Sequence, residues 1–307
     1  MDILGEASPR RRAPLPSFIL VLTVAAATAG ASAPAVPVMP AARGPAADAS
    51  LTGQAVVERY LAKQDVPAEM AFIAMVVSSP GAGPKEYRFL TVHHKRADGG
   101  RDALLRVLRP RDVEGVALLV AEPASGAPRM SLFLPEVGRV RPLGEQGLSG
   151  AFLGSNFTYE DLRREIPDIH DYERLEDTTV REVPCFRVRA REKSGGVSAY
   201  AWRDLLISRD AFDLLRVDFY GKGGKLTKSL NAFEYRSAQV KGETRRPRRA
   251  VMRAVGSDAW TDFTVVEGRI GLQLPEDLFT ARRQETWTPA EVEEFIFRFG
   301  MLVRGGI

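Results

Sequence analysis

Between residues 50 and 280 the apolar residues fall in short runs of strand length, most of them closed by glycine or proline. Met70-Ala-Phe-Ile-Ala-Met-Val-Val77 comes first, followed by Tyr87 to Val92, Ala103 to Leu108, Val116 to Val120 and Met130 to Leu134. Pro80-Gly81, Gly99-Gly100, Pro110, Pro123 and Pro135 punctuate them. The second half repeats the theme over 185–190, 200–207, 214–220, 226–235, 250–255 and 260–266. Within Leu214-Leu-Arg-Val-Asp-Phe-Tyr220, Leu215, Val217 and Phe219 alternate with Arg216 and Asp218, which sends the two sets to opposite faces. Gly221-Lys-Gly-Gly224 then supplies a hairpin turn into Lys225. About eleven such runs with short connections predict antiparallel strands in one strongly curved sheet or barrel rather than βαβ units. No linker separates the halves, so a single domain is expected.

Helical periodicity is confined to the flanks. Val56, Val57, Tyr60 and Leu61 share one face of a helix over Gln54–Lys63, with Thr52 placed to cap it. Near the end, Thr288-Pro-Ala-Glu291 combines an N-cap, proline at the first helical position and the acid of a capping box. Val292, Phe295, Ile296 and Phe299 follow at i, i+3, i+4 and i+7, a stripe that packs on the sheet or meets a partner or membrane surface. Between the halves, Gly150 and Gly154 mark an irregular loop, and Thr158 with Asp161 predicts a short capped helix through Arg164.

Residues 1–29 follow a different pattern. Arg10, Arg11 and Arg12 precede an apolar run from Phe18 to Ala27 and then small residues, the order of a secretory signal peptide. The run is shorter than the roughly 20 residues that span a bilayer, although an uncleaved anchor is the competing reading. Pro14 and Pro16 follow the arginines in place of an apolar pair, so a twin-arginine signal is disfavoured. Residues 30–50 form a leader rich in Pro, Ala and Gly, unable to bury enough apolar surface to order itself. The expected organisation is therefore a signal peptide over 1–29, this leader, a domain over 51–281 and a helical extension over 282–307. Export into the periplasm follows.

The chain has 307 residues, 45% of them hydrophobic and 27% charged, which is ordinary globular composition. Its net charge is +4, of which the first 29 residues carry +1, too little for a nucleic-acid signature. Cys185 is the single cysteine, so no internal disulfide forms. Its strand-like setting reads as a buried small hydrophobe, with a reactive thiol as the alternative.

Chemistry is sparse. His93 and His94 are adjacent in a strand, hence on opposite faces and unable to share a metal easily. No HExxH, CxxC, acidic calcium loop, Walker motif or GxGxxG occurs, and no cofactor is implied. Gly147-Leu-Ser-Gly150 is not a nucleophile elbow. Glu160, Asp161, Asp168 and Asp171 cluster near the central loop; solvated surface charge competes there with a carboxylate pair of hydrolase type. Arg245-Arg-Pro-Arg-Arg249 reads as a solvated turn, or as a contact for anionic headgroups or an acidic partner.

Several ordered motifs carry a family resemblance. Phe152-Leu-Gly-Ser-Asn-Phe-Thr-Tyr-Glu-Asp-Leu162 resembles the G-S-D-F-S-Y-E-D signature of a branch of the LolA-like outer-membrane lipoprotein-sorting proteins. Arg109-Pro-Arg-Asp-Val-Glu-Gly-Val-Ala-Leu-Leu119, Leu132-Phe-Leu-Pro-Glu-Val-Gly-Arg-Val-Arg141 and the hairpin over 215–226 fall in the family's order, and Leu278-Phe-Thr280 fits its usual end. Asn156 replaces the usual Asp, and the leader and the helix after Thr280 are additions.

The resemblance implies a mainly β, α+β fold: an incomplete antiparallel β-barrel around an apolar cavity, with short helices as lid. It also implies a non-catalytic carrier of lipid or lipoprotein acyl chains, with an inner-membrane transporter as a further partner. The alternative is an accessory subunit of a resistance–nodulation–division-type transporter that binds no lipid. Phe186, Val188, Leu215, Val217 and Phe219 are the cavity candidates, because their neighbours along the strand are mostly Arg or Asp. Gly150, Gly154, Phe157 and Tyr159 are candidates for a lid or hinge.

Overall fold

The computed structural model describes residues 50–301 apart from 194, 195 and 240–242, and no side chains over 237–244. The expected signal peptide and nearly all of the leader lie outside the described residues. Fourteen strands form one antiparallel sheet. They are β1 (Ala68–Ser78), β2 (Lys85–Lys95), β3 (Arg101–Arg109), β4 (Ala117–Glu122), β5 (Arg129–Leu134), β6 (Arg139–Pro142), β7 (His170–Arg174), β8 (Thr178–Val180), β9 (Val183–Glu192), β10 (Tyr200–Ser208), β11 (Leu214–Gly221), β12 (Leu226–Gln239), β13 (Glu243–Ala254) and β14 (Trp260–Ile270). Helices α1 (Gly53–Ala62), α2 (Ala281–Thr286) and α3 (Pro289–Arg298) flank it.

The order across the sheet is β6-β5-β4-β3-β2-β1-β14-β13-β12-β11-β10-β9-β7, with β8 also on β9. The chain thus begins in the middle, walks by hairpins to one edge, crosses through residues 143–169, and returns from the other edge until β14 pairs with β1. Since β6 and β7 do not pair, the barrel stays incomplete.

Every strand run read from the sequence is a strand. The three that were not read, β6, β7 and β8, are short and lie at or beside an edge. His170-Asp-Tyr-Glu-Arg174 has no aliphatic side chain, because one covered face and an open edge demand little apolar surface. Helix α1 forms as expected, the Thr52 hydroxyl accepting from the Ala55 N–H. The Thr288 capping box of α3 is also present. Thr158 and Asp161 do exchange hydrogen bonds, yet only a single 3₁₀ turn, Glu160–Leu162, follows instead of a helix through Arg164.

Alternation sorts the strands into two faces. The inner one gathers Ala71, Ile73, Met75, Phe89, Val120, Phe186, Val217 and Phe263 into the main core, together with the apolar stripe of α1. The outer face of β1–β5 buries Met70, Phe72, Leu90, Val92, Leu104 and Leu119 beneath Trp287 and the Val292, Phe295 and Ile296 stripe of α3. The C-terminal helix therefore covers the back of the sheet and does not close its mouth. Phe295 meets Trp287 edge-on at 5.3 Å between centroids.

The basic run needs correction. Arg245 to Arg249 lies within β13 and is no solvated turn. Arg246 is 4% exposed and ion-paired with Glu69 at 3.2 Å. Arg245 pairs with Asp213 at 3.1 Å, Arg248 with Glu234 at 3.5 Å and Arg249 with Asp262 at 2.5 Å. Each arginine thus has an acidic partner on another element, with Arg246 buried and Arg245, Arg248 and Arg249 still 35%, 37% and 46% exposed.

Candidate ligand-binding interior

The inner face is a trough whose mouth is filled by α1 and the central segment. Phe186, Val188, Val217 and Phe219 all lie on this face and are buried. Leu215 does not join them. Ile207 pairs with Leu214 while Leu206 pairs with Arg216, so Leu215 is an extra residue in a β-bulge. One inserted residue reverses the alternation. Leu214 takes the inner position and Leu215 turns outward to pack with Cys185 and Leu206. The Cys185 thiol is pushed up to about 11 by burial, which makes it a core residue rather than a nucleophile.

The central segment contributes Leu148, Phe152, Phe157 and Leu162 to the same core. Phe157 stands edge-on to Phe263 at 4.7 Å, and Phe152 lies 5.7 Å from Phe89. The segment closes on itself where the Phe152 N–H donates to the Phe157 carbonyl at 2.8 Å. That tight loop needs left-handed backbone at Leu153 (φ 49°) and Gly154 (φ 70°). Glycine relieves the second position. Gly150 has ordinary φ, so its role is not conformational freedom. Tyr159 is half-buried against Phe152.

Polar contacts tie the segment to the far half of the sheet. The Asn156 N–H donates to Thr261 Oγ1 at 3.0 Å, and that hydroxyl donates back to Asn156 Oδ1 at 3.0 Å. The position needs an acceptor oxygen, which Asn and Asp both supply. Lys228 Nζ donates to the Asn156 carbonyl at 2.9 Å and pairs with Asp161. Tyr200 donates to Asp161 at 2.8 Å. Glu160 accepts from the Ala199 N–H at 2.8 Å and from the Ser198 hydroxyl. Glu160 and Asp161 are thus buried and hydrogen-bonded, contrary to the solvated reading, and they pin the loop, while Asp168 and Asp171 are exposed as that reading has it. Tyr87 reaches from the near half to the Leu153 carbonyl at 3.2 Å.

The other end of the trough holds buried charge. Arg164 pairs with Glu122, Arg101 with Asp65, and Arg246 with Glu69. Beside them His93 faces inward, its pKa lowered to about 3 by burial and then by the Arg246 charge, so it is neutral at pH 7. His94 turns away and stacks on Phe279 at 6.0 Å. Among the described residues no group of His, Cys, Asp and Glu could hold a metal ion. No described helix is long and apolar enough to cross a membrane.

This architecture is that of a LolA-like half-barrel. A family model described as "Uncharacterized protein" matches residues 99–286, and the chain belongs to that family. A putative outer-membrane lipoprotein-sorting protein domain from Vibrio parahaemolyticus superposes with a TM-score of 0.70 at 22% identity, covering 76% of this chain and 98% of that one. A DUF1329 family protein from Desulfovibrio piger gives 0.69 at 20% identity, covering 76% and 97%. A LolA superfamily protein from Nitrosomonas europaea gives 0.60 at 18% identity, covering 75% and 98%. No curated protein matches the sequence.

Proposed function

We propose that this protein is a non-catalytic periplasmic carrier that shelters an acyl chain, of a lipid or a lipoprotein, inside the half-barrel. The observation that carries the reading is the construction of the core. The sheet's inner face is apolar over its middle and charged at the end where Arg164, Arg101 and Arg246 form their pairs, and what covers the apolar part over residues 148–162 is an irregular segment rather than a strand or long helix. Withdrawing that segment would uncover Phe89 and Phe263, on which Phe152 and Phe157 pack, and open the trough toward Val217 and Phe219, with Phe186 and Val188 of β9 farther along it beside α1. An acyl chain entering it gains about 0.8 kcal/mol for each CH₂ removed from water, and needs no catalyst. The segment is the lid in this account, with the Leu153–Gly154 turn as its hinge.

The experiment is native mass spectrometry of the protein purified from its own compartment, with extraction of whatever is bound. A stoichiometric acyl-bearing molecule, lost in folded Val217→Asp or Phe219→Asp protein, supports the carrier. A bare mass that takes up no added fatty acyl probe refutes it. A second reading, the accessory subunit with no lipid of its own, draws on the closed state: the inner face, α1 and the central segment form one continuous buried core. The same bare mass would favour it.

A further inference from the structure

The sheet has two edges, and the chain treats them differently. At β6, Glu285 accepts a hydrogen bond from the Val140 N–H at 2.8 Å, so a side chain closes that rim. Along β7 runs an open cleft of about 740 Å³. Its walls are His170, Asp171, Tyr172 and Glu173, four successive residues of the edge strand, with Glu58 of α1 opposite and Ser125 of the β4–β5 turn nearby.

The register shows which backbone groups look into it. Strand β7 pairs with β9 from His170↔Glu192 to Arg174↔Val188. Just outside, Lys193 N–H donates to the Ile169 carbonyl and Leu175 N–H to the Arg187 carbonyl, both at 2.9 Å. Hydrogen-bonded pairs recur at every second residue of an antiparallel ladder, so Asp171 and Glu173 aim their N–H and C=O groups at β9. His170, Tyr172 and Arg174 aim theirs outward. Helix α1 covers the end of this row: a β-carbon on Gly53 would stand 2.8 Å from the Tyr172 carbonyl oxygen and 2.9 Å from the Arg174 nitrogen. The N–H and C=O of His170, a residue 4% exposed, and the N–H of half-buried Tyr172 lie on the cleft side.

Charge selects what fits there. The cleft presents Glu58, Asp168, Asp171 and Glu173 against Arg191 and Lys193, and Arg191 is committed to Glu173 at 2.8 Å. Burial keeps His170 neutral. A local charge of −2 thus sits in a chain whose total is +4. We propose that this edge takes an extended, lysine- or arginine-bearing segment of a partner protein as an added strand, its main chain pairing with His170 and Tyr172 and its cations meeting Asp168 and Asp171. The inference goes beyond the carrier reading and does not depend on it.

The test is fluorescence anisotropy with labelled octapeptides of alternating Lys and Val, or Glu and Val, titrated with the purified protein. The Lys–Val peptide binds saturably at one per chain, and the Glu–Val peptide at least about tenfold more weakly. N-methylation of one alternate set of its residues weakens binding about tenfold, and of the other set leaves it unchanged, because only every second N–H of an added strand faces the sheet. Asp171→Lys, an exposed change, lowers affinity without altering the circular dichroism spectrum. Equal tolerance of both N-methyl peptides would reduce the effect to bulk charge and overturn the proposal. So would absence of saturable binding, or a β7-mediated dimer of the protein that the peptide fails to dissociate.

Discussion

Arg246 of β13 and Glu69 of β1 meet inside the half-barrel at 3.2 Å, their side chains 4% and 1% exposed, across the intervening strand β14. The arginine also donates to the Gln64 carbonyl, just past α1. One buried pair thus joins the two ends of the chain's path through the sheet and the helix that fills its mouth. Arg246→Met should destabilise the protein by about 3–5 kcal/mol, since it strands a buried carboxylate. The double change Arg246→Met with Glu69→Leu should recover most of that loss, and urea denaturation midpoints decide.

The central segment should open before the sheet does. Lys228→Met removes the ammonium from Asp161 and from the Asn156 carbonyl, so the pins of the loop weaken while β12 keeps its ladder. Amide exchange at Phe152 and Tyr159 should accelerate, with the amides of β12 and β13 protected as before. Uniform acceleration would mean that the segment is part of the global core and no lid.

Gly53 permits a close approach. Gly53→Ala should cost about 1–3 kcal/mol, because its methyl must displace backbone of β7 rather than a flexible side chain. Exchange at Asp171 and Glu173, whose N–H groups bond to β9, should rise with it.

His93 makes stability depend on pH in a defined sense. Its folded pKa, about 3, lies below the unfolded value of 6.5, so the unfolded chain binds the extra proton between those limits. The stability contributed by burying neutral imidazole is complete above pH 6.5 and is lost as pH falls toward 3. From pH 6.5 to pH 5 the loss from this group is about 2 kcal/mol. His93→Leu should flatten that part of the pH profile; an unchanged slope would contradict the assignment.

Much of this was legible in the sequence because it depends on local chemistry. Apolar runs between Gly and Pro gave the strands, and Thr52 and Thr288 gave the caps. The motif over 152–162 marked the segment that fills the trough. What escaped depends on register and distance. The bulge at Leu215 reverses a face that strict alternation assigns to Leu215, Val217 and Phe219 together, and nothing local announces an extra residue. Arg245–Arg249 reads as free charge because Asp213, Glu69, Glu234 and Asp262 lie on other elements. Edge strand β7, polar throughout, carries no periodic apolar signal, and the open backbone beside it is invisible until the ladder's phase is known.

The central claim is that acyl cargo enters by displacing the central segment. Asn156 and Thr261 touch across that boundary, so Asn156→Cys with Thr261→Cys should form a disulfide that locks it, while buried Cys185 stays unreactive. Binding of a fluorescent fatty acyl probe should be stoichiometric in the reduced form and absent in the oxidised form. Equal binding by both forms, or none by either, would contradict the account.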